Sequence, residues 1–288
     1  MKNQKNIKTI KRGSSQKKDF ISGLYYNAGF LNGPKKESLI NEIEMLYPIW
    51  EERFSKSNPP PTGDTWRPLL RPVYWLGNWQ FACLGYYHPP HNIENACVKA
   101  ESFPPFMQKL VGEIEYKARM LAGDQVPKNW KLNTCLVNYY GSQVDENNKE
   151  TDVARVGDHK DAELGPVASV SLGESAYFQF VKGRANDPGN IVHSQWLQDG
   201  SLFLFWNKKF KDDLFHRVQR VEKKKGIFFE DHLHNYKTRR INLTFRYVPE
   251  ESIIPYEQIP KEKKEDIKPY IEQLSINSNF FKGLLEVN

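Results

Sequence analysis

RINLTFR, residues 240–246, lies downstream of a second short motif, His159-Lys160-Asp161. Side chains of an extended strand alternate between its two faces, so the imidazole of His159 and the carboxylate of Asp161 project from the same side. Arginine binds a carboxylate through two parallel hydrogen bonds, and its burial within an apolar strand is costly without an anion. The two motifs together predict a metal ion and an organic dianion held in one barrel.

A metal site built on His159 and Asp161 needs a further ligand, and His216 in the strand-like segment 214–218 is the best candidate. Two histidines and one carboxylate on one face of an iron ion form the facial triad of non-haem Fe(II) oxygenases, with the remaining positions open. A His-x-Asp pair alone also occurs as a surface pair or a cap, and a single arginine can form a structural ion pair. The apolar strands around these residues favour the metal site.

The chain offers rival ligands for such a metal. They are His193 in an earlier predicted strand, His232 and His234 in the polar segment 222–238, and His88 and His91 in a proline-containing loop. The three cysteines, Cys83, Cys97 and Cys135, are odd in number and far apart. This spacing argues against a zinc cluster or a disulfide framework and favours buried free thiols.

Composition sets only broad limits. With 288 residues the chain can bury a substantial core, and we expect one elaborated domain. Hydrophobic residues make up 39% of the chain, and no apolar run approaches the roughly 20 residues that a membrane helix requires. The basic start lacks the apolar core of a secretory signal. The expectation is a soluble, cytoplasmic monomer without a membrane contact.

The net charge of +6 comes from the N-terminal segment. Residues 1–18 hold seven basic and no acidic side chains. The remaining residues therefore hold 41 − 7 = 34 basic and 35 acidic side chains, which gives them a net charge of −1. We expect residues 1–18 to be a disordered tail. The tail either only solvates the chain or tethers it to phosphates with a salt-dependent affinity.

Helical and strand-like segments form two successive blocks. Apolar spacing predicts helices over residues 36–54 and 105–122, with a proline-rich loop at 58–64 between them. From residue 132, short β-like runs alternate with turn residues. The expected strands are 132–140, 166–172, 176–182, 191–197, 201–206, 214–221 and 240–248. This spacing predicts a sandwich or a jelly roll, followed by a helical segment that ends near residue 274.

Five motifs occur in a defined order along the chain. They are Asn138-Tyr139-Tyr140, His159-Lys160-Asp161, PVASVSLGESAYFQF at 166–180, His216 and RINLTFR at 240–246. The motifs and their order resemble the AlkB family of Fe(II) and 2-oxoglutarate-dependent dioxygenases, over residues 79–249. The resemblance implies an α+β, mainly β fold: a double-stranded β-helix (jelly roll) with flanking N-terminal helices. The domain would span residues 19–250, with 251–288 as a helical extension of it.

The resemblance also implies roles for individual residues. His159, Asp161 and His216 would bind Fe(II). Asn138, Tyr140, Arg240, Asn242 and Arg246 would hold the cosubstrate 2-oxoglutarate. The substrate would meet Trp79, Tyr86 and Tyr87 in the aromatic lid region and Glu163 at the position of an acidic base-contacting residue. Aromatic faces stack on a flipped base, although core packing is the alternative for the three aromatics.

The activity implied by the resemblance is oxidative demethylation of N-alkylated bases in DNA or RNA, such as N1-methyladenine and N3-methylcytosine. O2 would be the second cosubstrate, and formaldehyde, succinate and CO2 the products. Two alternatives stay open: the same chemistry on a protein, modified-RNA or small-molecule substrate, and a non-catalytic nucleic-acid-binding module. The intact metal and arginine motifs argue against the module. The polar insertions 142–155 and 222–238 depart from the family pattern and leave the lid geometry open.

Overall fold

The structure is a computed structural model that describes residues 21–86, 97–183, 188–221, 229–230 and 232–286. Several features singled out in the sequence lie outside these ranges, namely the basic tail at 1–18, Tyr87, His88, His91 and the three lysines at 223–225. In the described part of the chain, no helix combines the length and the apolar character needed to cross a membrane.

Thirteen strands and four α-helices are found within the described ranges. The strands are β1 (Leu24–Asn27), β2 (Val73–Leu76), β3 (Asn78–Gln80), β4 (Cys97–Lys99), β5 (Thr134–Val144), β6 (Glu150–Asp152), β7 (Val156–His159), β8 (Val167–Gly173), β9 (Ala176–Val181), β10 (Ile191–Leu197), β11 (Leu202–Phe205), β12 (Phe215–Val221) and β13 (Tyr236–Arg246). The helices are α1 (Gly33–Ile43), α2 (Pro105–Ala122), α3 (Lys261–Ser275) and α4 (Asn279–Glu286).

Two antiparallel sheets face each other. The major sheet has the order β1-β11-β8-β13-β5-β2, with β6 paired to β5, and the minor sheet has the order β10-β9-β12-β7. Phe178 and Phe180 of the minor sheet pack against Phe203 and Phe205 of the major sheet, with ring centroids 5.3 Å apart for Phe178 and Phe203. This mainly β arrangement confirms the jelly roll predicted from the sequence.

RINLTFR occupies the C-terminal part of β13, between β5 and β8 in the major sheet. Ile241, Leu243 and Phe245 are buried in the large core on one face of the sheet. Because successive side chains of a strand alternate, the polar residues of the motif project from the other face, towards the minor sheet. The alternation therefore places both arginines of the motif between the two sheets.

The first predicted helix is too long. We expected a helix over residues 36–54, but α1 ends at Ile43. Pro48 cannot continue a helix, because it has no N–H to donate and restricts the residue before it. Ile49 pairs instead with Val73 of the major sheet. The apolar spacing beyond Ile43 thus belongs to an extended segment that packs on the same core.

The other helices cover the outer face of the major sheet. α2 has the predicted bounds, and its Met107, Leu110 and Ile114 are buried. From the C-terminal segment, Ile271 of α3 and Phe281 of α4 enter the same core cluster. The outer face of the major sheet is thereby filled with apolar side chains, and the polar face is left for the site.

Candidate metal centre and its pocket

Three side chains with metal-binding atoms converge between the sheets. His159 ends β7, Asp161 follows it in the loop to β8, and His216 lies on β12 directly opposite His159. One ligand atom from each residue lies within 4.8 Å of the other two. The structure therefore brings together the two histidines and the carboxylate that the sequence predicted as metal ligands. Their ligand atoms are close enough to one another to bind a single metal ion.

His159 is held in the tautomer that a metal ligand requires. Its Nδ1 lies 2.8 Å from the carbonyl oxygen of Gly157, which can only accept, so Nδ1 carries the proton and Nε2 keeps its lone pair. Burial, with the neighbouring His216, lowers the pKa of His159 to about 3. The imidazole is therefore neutral at physiological pH, which is the state that binds a metal.

Asp161 supplies the negative charge of the set. Its Oδ1 accepts from Nη2 and Nε of Arg246 at 2.7 and 2.8 Å. Its Oδ2 is buried without a hydrogen bond from the described residues and lies 3.3 Å from Nε2 of His216. Burial raises the pKa of Asp161, but Arg246, His216 and Lys211 outweigh it and hold the pKa well below its usual range. An ionised oxygen beside the neutral imidazole of His159 and the ring nitrogen of His216 fits a divalent iron ion.

One pocket contains the three candidate ligands and the five residues expected to hold the cosubstrate. Its wall includes His159, Asp161, His216, Asn138, Tyr140, Arg240, Asn242 and Arg246. Phe178, Leu197 and Phe205 contribute apolar surface to the same wall. The pocket thus joins a metal centre to a basic, partly apolar chamber.

Arg240 is the basic group best placed to receive an anion. Its side chain is 1% exposed and donates to two uncharged acceptors, Oγ of Ser171 at 2.9 Å and the main-chain oxygen of Glu174 at 3.2 Å. Its Nε has no hydrogen-bond partner among the described residues. Burial lowers the pKa of Arg240 to about 10, so the guanidinium remains charged at neutral pH.

The two asparagines of the pocket are oriented by other side chains. Asn242 Nδ2 donates to Oγ of Ser169 at 2.8 Å, and its Oδ1 accepts from Thr244. Asn138 Oδ1 accepts from Nε of Arg71. Because a guanidinium only donates, this contact assigns the oxygen of the Asn138 amide.

Arg71 and Lys211 were missed in the sequence analysis. Arg71 is buried in the pocket wall, and its sequence signal was the one used for Arg240, an arginine next to an apolar strand. Lys211 lies in a π-helical turn, Lys209–Asp213, and donates through Nζ to the main-chain oxygen of Asp161 at 3.3 Å. A lysine in a polar turn gives no sequence signal for such a contact.

The residues expected to meet the substrate have separate locations. Glu163 is buried, and Nε of Arg246 lies 3.6 Å from its Oε2. Neither carboxyl oxygen of Glu163 has a hydrogen-bond partner among the residues that the structure describes. Tyr86 is half-buried, with its ring centroid 5.6 Å from the guanidinium carbon of Arg246. Both therefore lie on the Arg246 side of the pocket.

Trp79 does not lie where the sequence analysis expected it. The side chain is 1% exposed and stacks on Phe81 with ring centroids 4.0 Å apart. Its indole N–H donates to the buried carboxylate of Glu51 at 2.9 Å. Trp79 is a core residue, because its whole ring is enclosed by apolar neighbours and its one polar atom is satisfied within the core.

The other histidines considered as metal ligands lie outside the metal centre where the structure describes them. Nε2 of His232 lies 3.0 Å from the main-chain oxygen of Glu44, and the ring stacks on Tyr47. His193 is half-buried on β10, with its ring centroid 6.5 Å from that of Phe180. Within the described ranges, neither these histidines nor His234 joins a cluster of potential metal ligands. The three cysteines, Cys83, Cys97 and Cys135, are free and buried, as predicted.

Comparisons with known proteins give the family of the chain. The model of the 2OG-Fe(II) oxygenase superfamily matches residues 23–246. No curated protein matches the chain. Among solved structures, that of OsALKBH1 is similar, with 20% sequence identity, coverage of 79% of this chain and 99% of that chain, and a TM-score of 0.48. Since the family match runs from β1 to the end of RINLTFR and so includes the whole metal centre, the chain belongs to the 2OG-Fe(II) oxygenase superfamily and is a dioxygenase that uses Fe(II), 2-oxoglutarate and O2.

Proposed function

We propose that the chain oxidatively demethylates N-alkylated bases of DNA or RNA, such as N1-methyladenine and N3-methylcytosine. The observation that carries this proposal is Glu163, a buried carboxyl group two positions after the metal ligand Asp161, whose two oxygens receive no hydrogen bond from the described residues. Arg246 lies 3.6 Å from one of these oxygens, beyond hydrogen-bond distance, and a buried carboxylate that accepts no hydrogen bond is costly. The site therefore favours a substrate that brings donors or positive charge, and an exocyclic amine or a cationic methylated base brings them.

Tyr86 gives the proposal a second support. Its ring packs edge-on against Trp75, with centroids 5.4 Å apart, and the guanidinium of Arg246 lies near its ring. Arg246 also contacts Glu163, so an aromatic surface and the buried carboxyl group flank one arginine. Enzymes that act on a flipped base use this combination, with stacking on one surface and polar contacts to the base edge.

The bound metal, 2-oxoglutarate and O2 would convert an N-methyl group to an N-hydroxymethyl group, which releases formaldehyde, with succinate and CO2 as the other products. His159, Asp161 and His216 would hold the metal. Arg240 would neutralise the far carboxylate of 2-oxoglutarate, because it is buried, charged and hydrogen-bonded only to uncharged acceptors among the described residues. Arg246 keeps Asp161 ionised and oriented.

The remaining pocket residues prepare a dry and ordered site. Phe178, Leu197 and Phe205 line the pocket with apolar surface, which excludes water from the reacting groups. Ser169 and Thr244 fix the amide of Asn242 from both sides. The protein thus binds, orients and desolvates, while the oxidising chemistry is that of the metal and its cosubstrates.

Glu163→Gln tests the base-reading role. The variant keeps the shape but removes the charge, and losing a charge-assisted hydrogen bond costs about 1.5–3 kcal/mol. We expect kcat/KM for N1-methyladenine in an oligonucleotide to fall by about 10- to 150-fold, with 2-oxoglutarate consumption in the absence of a substrate changed less than about twofold. Glu150→Gln, an exposed carboxylate paired with Lys237, is the control. Equal losses in both assays would assign Glu163 to the support of the fold.

A second candidate keeps the oxygenase chemistry and changes the substrate to a protein side chain, a modified RNA position or a small molecule. The charge distribution favours keeping it, because residues 19–288 carry a balance of −1 and offer no general attraction to phosphates. Succinate formation without demethylation of any base-methylated oligonucleotide would support this candidate.

A further inference from the structure

β13 contains a β-bulge immediately before Arg240. Thr238 pairs with Gly141 of β5, and Arg240 pairs with Tyr140, so Arg239 is an extra residue on one strand. A bulge locally changes the direction of the side chains around it and is frequent next to active sites. Without the extra residue, the neighbouring arginines would simply alternate between the two faces of the sheet.

Two glycines on the flanking strands make room for the bulge. A Cβ atom on Gly141 would lie 1.9 Å from the main-chain oxygen of Lys237, and one on Gly173 would lie 2.4 Å from that of Arg239. Gly173 also has a φ of +81°, which is the left-handed region that favours glycine. The bulge is therefore built into three adjacent strands, β5, β13 and β8.

The two neighbouring arginines have different partners, although both are buried. Nε of Arg239 donates to the carboxylate of Glu174 at 2.8 Å, its Nη2 lies 3.1 Å from Asp152, and its Nη1 donates to the hydroxyl of Ser142. Arg240 meets the same Glu174 only through the main-chain oxygen. Arg239 thus binds the acidic side chain, and Arg240 is bonded to uncharged oxygens.

Glu174 makes this division consequential. Its side chain is fully buried, and the removal of a cationic partner from a buried carboxylate is costly. Arg240 is the adjacent guanidinium and already contacts the main chain of Glu174. If Arg239 did not hold this carboxylate, Glu174 would compete with an incoming dianion for the charge of Arg240.

We propose that Arg239 is a positioning residue for 2-oxoglutarate: by holding Glu174 and fixing the bulge, it keeps Arg240 available for the far carboxylate of the cosubstrate. The inference rests on the proposed role of Arg240. It concerns cosubstrate binding alone and is independent of which methylated substrate the enzyme uses.

The test compares two keto acids that differ at the far end. 2-Oxoglutarate and 2-oxobutyrate share the keto acid group, but 2-oxobutyrate lacks the far carboxylate. Dissociation constants are measured by calorimetry on the full chain, loaded with Fe(II) under anaerobic conditions so that no turnover occurs. We expect Arg239→Met to weaken 2-oxoglutarate binding by about tenfold or more and 2-oxobutyrate binding by less than about threefold. Arg217→Met, which removes a buried arginine of the minor sheet, should change neither constant selectively.

A second variant tests the role of Glu174 directly. Arg239→Met combined with Glu174→Gln removes both charges of the pair and should restore 2-oxoglutarate binding to within about threefold of the wild type. Three results would overturn the proposal: unchanged 2-oxoglutarate binding by Arg239→Met, an equal loss of binding for both keto acids, or a double variant that binds 2-oxoglutarate as weakly as Arg239→Met.

If Arg239→Met does not fold, Arg239→Lys replaces it. The lysine keeps the charge without the forked geometry, and we expect a selective loss of about threefold or more for 2-oxoglutarate. No selective loss in that variant also overturns the proposal.

Arg240→Met separates this inference from the proposed function. It should lose the preference for 2-oxoglutarate over 2-oxobutyrate. If it does not, the assignment of Arg240 to the cosubstrate fails. If it does and the Arg239 variants bind normally, only the role of Arg239 fails.

Discussion

The two arginines of RINLTFR have different chemical duties. Arg240 is bonded to uncharged oxygens and remains available for an anion. Arg246 already binds Asp161 and is the first of the groups, with His216 and Lys211, that lower the pKa of that carboxyl group against the effect of burial. The last arginine of the motif therefore holds the candidate metal ligand Asp161, while the first is the one we propose to bind the cosubstrate. A sequence motif alone does not distinguish these duties, because both arginines occupy the same face of one strand.

We expect the free energy of unfolding of the metal-free protein to decrease as the pH falls below about 6.5, the ordinary pKa of histidine. His159 is one cause of this decrease. Burial lowers the pKa of His159 to about 3 in the folded state. Between these values the unfolded chain takes up a proton that the folded protein does not, so the stabilisation present above pH 6.5 decreases towards lower pH. The decrease is at most about 1.4 kcal/mol per pH unit for one group.

Urea unfolding at pH 7.5 and pH 5.5 measures this effect. The free energy of unfolding should fall less between the two values for His159→Gln than for the wild type. His232→Gln, at an exposed histidine outside the metal centre, should behave as the wild type. An identical fall for the wild type and His159→Gln would show that His159 is not buried as a neutral group.

At the scale of elements, the predictions succeeded for some segments and failed for others of the same length. α2 and β10 have the predicted bounds, and the four-residue strand β11 lies within the predicted strand 201–206. β2 and β7, also of four residues, were not predicted, because β2 precedes the block of β-like runs that begins at residue 132 and β7 contains a single large apolar residue. The ligand His159 thus ends a strand that the sequence pattern did not reveal, and only its pairing with His216 on β12 brings the ligands together.

The segment after α1 shows how a helical pattern misled the prediction. Glu51 fell within the expected helix 36–54 as one of its polar residues. In the structure it is fully buried, and its carboxylate accepts from the indole N–H groups of Trp75 and Trp79 and from the backbone N–H of Ala82. This contact ties the segment after α1 to β2 and to the chain that leads to Tyr86.

Glu51→Ala should therefore destabilise the fold strongly. Three buried donors would lose their acceptor, at about 1–3 kcal/mol each, so we expect a loss of about 3 kcal/mol or more in the free energy of unfolding. Urea denaturation measures it, and Glu52→Ala, at an exposed neighbouring carboxylate, is the matched control. A loss below about 1 kcal/mol for Glu51→Ala would mean that other groups replace the carboxylate.

At the scale of the whole molecule, the site depends on two sheets that face each other. Asn138 on β5, His216 on β12 and Arg240 on β13 are far apart in the chain and line one pocket. The order of the motifs made this convergence predictable through the family resemblance. Other features depend on packing between segments that are distant in the chain, which no single segment encodes. They are the acceptors that each arginine contacts, the core position of Trp79 and the contact of Lys211 with Asp161.

Charge separates the tail from the rest of the molecule. Residues 1–18 carry seven basic side chains, whereas the remainder has a balance of −1. If the tail is a phosphate tether, deletion of residues 1–18 will weaken binding to single-stranded oligonucleotides and reduce the slope of log K against log salt by up to about 5. Fluorescence anisotropy at several salt concentrations measures both. A slope that the deletion leaves unchanged means that the tail only solvates the chain.

The most direct test of the central claim measures formaldehyde and succinate released from oligonucleotides that each contain one methylated base. The full chain is supplied with Fe(II), 2-oxoglutarate and O2, and mass spectrometry follows the base. Asp161→Ala removes a metal ligand, and Asp158→Asn, at a nearby carboxylate paired with Arg217, is its control. The account predicts stoichiometric formaldehyde, succinate and restored base for the wild type and for Asp158→Asn, and none for Asp161→Ala. Undiminished turnover by Asp161→Ala, or succinate without any base demethylation by the wild type, would contradict it.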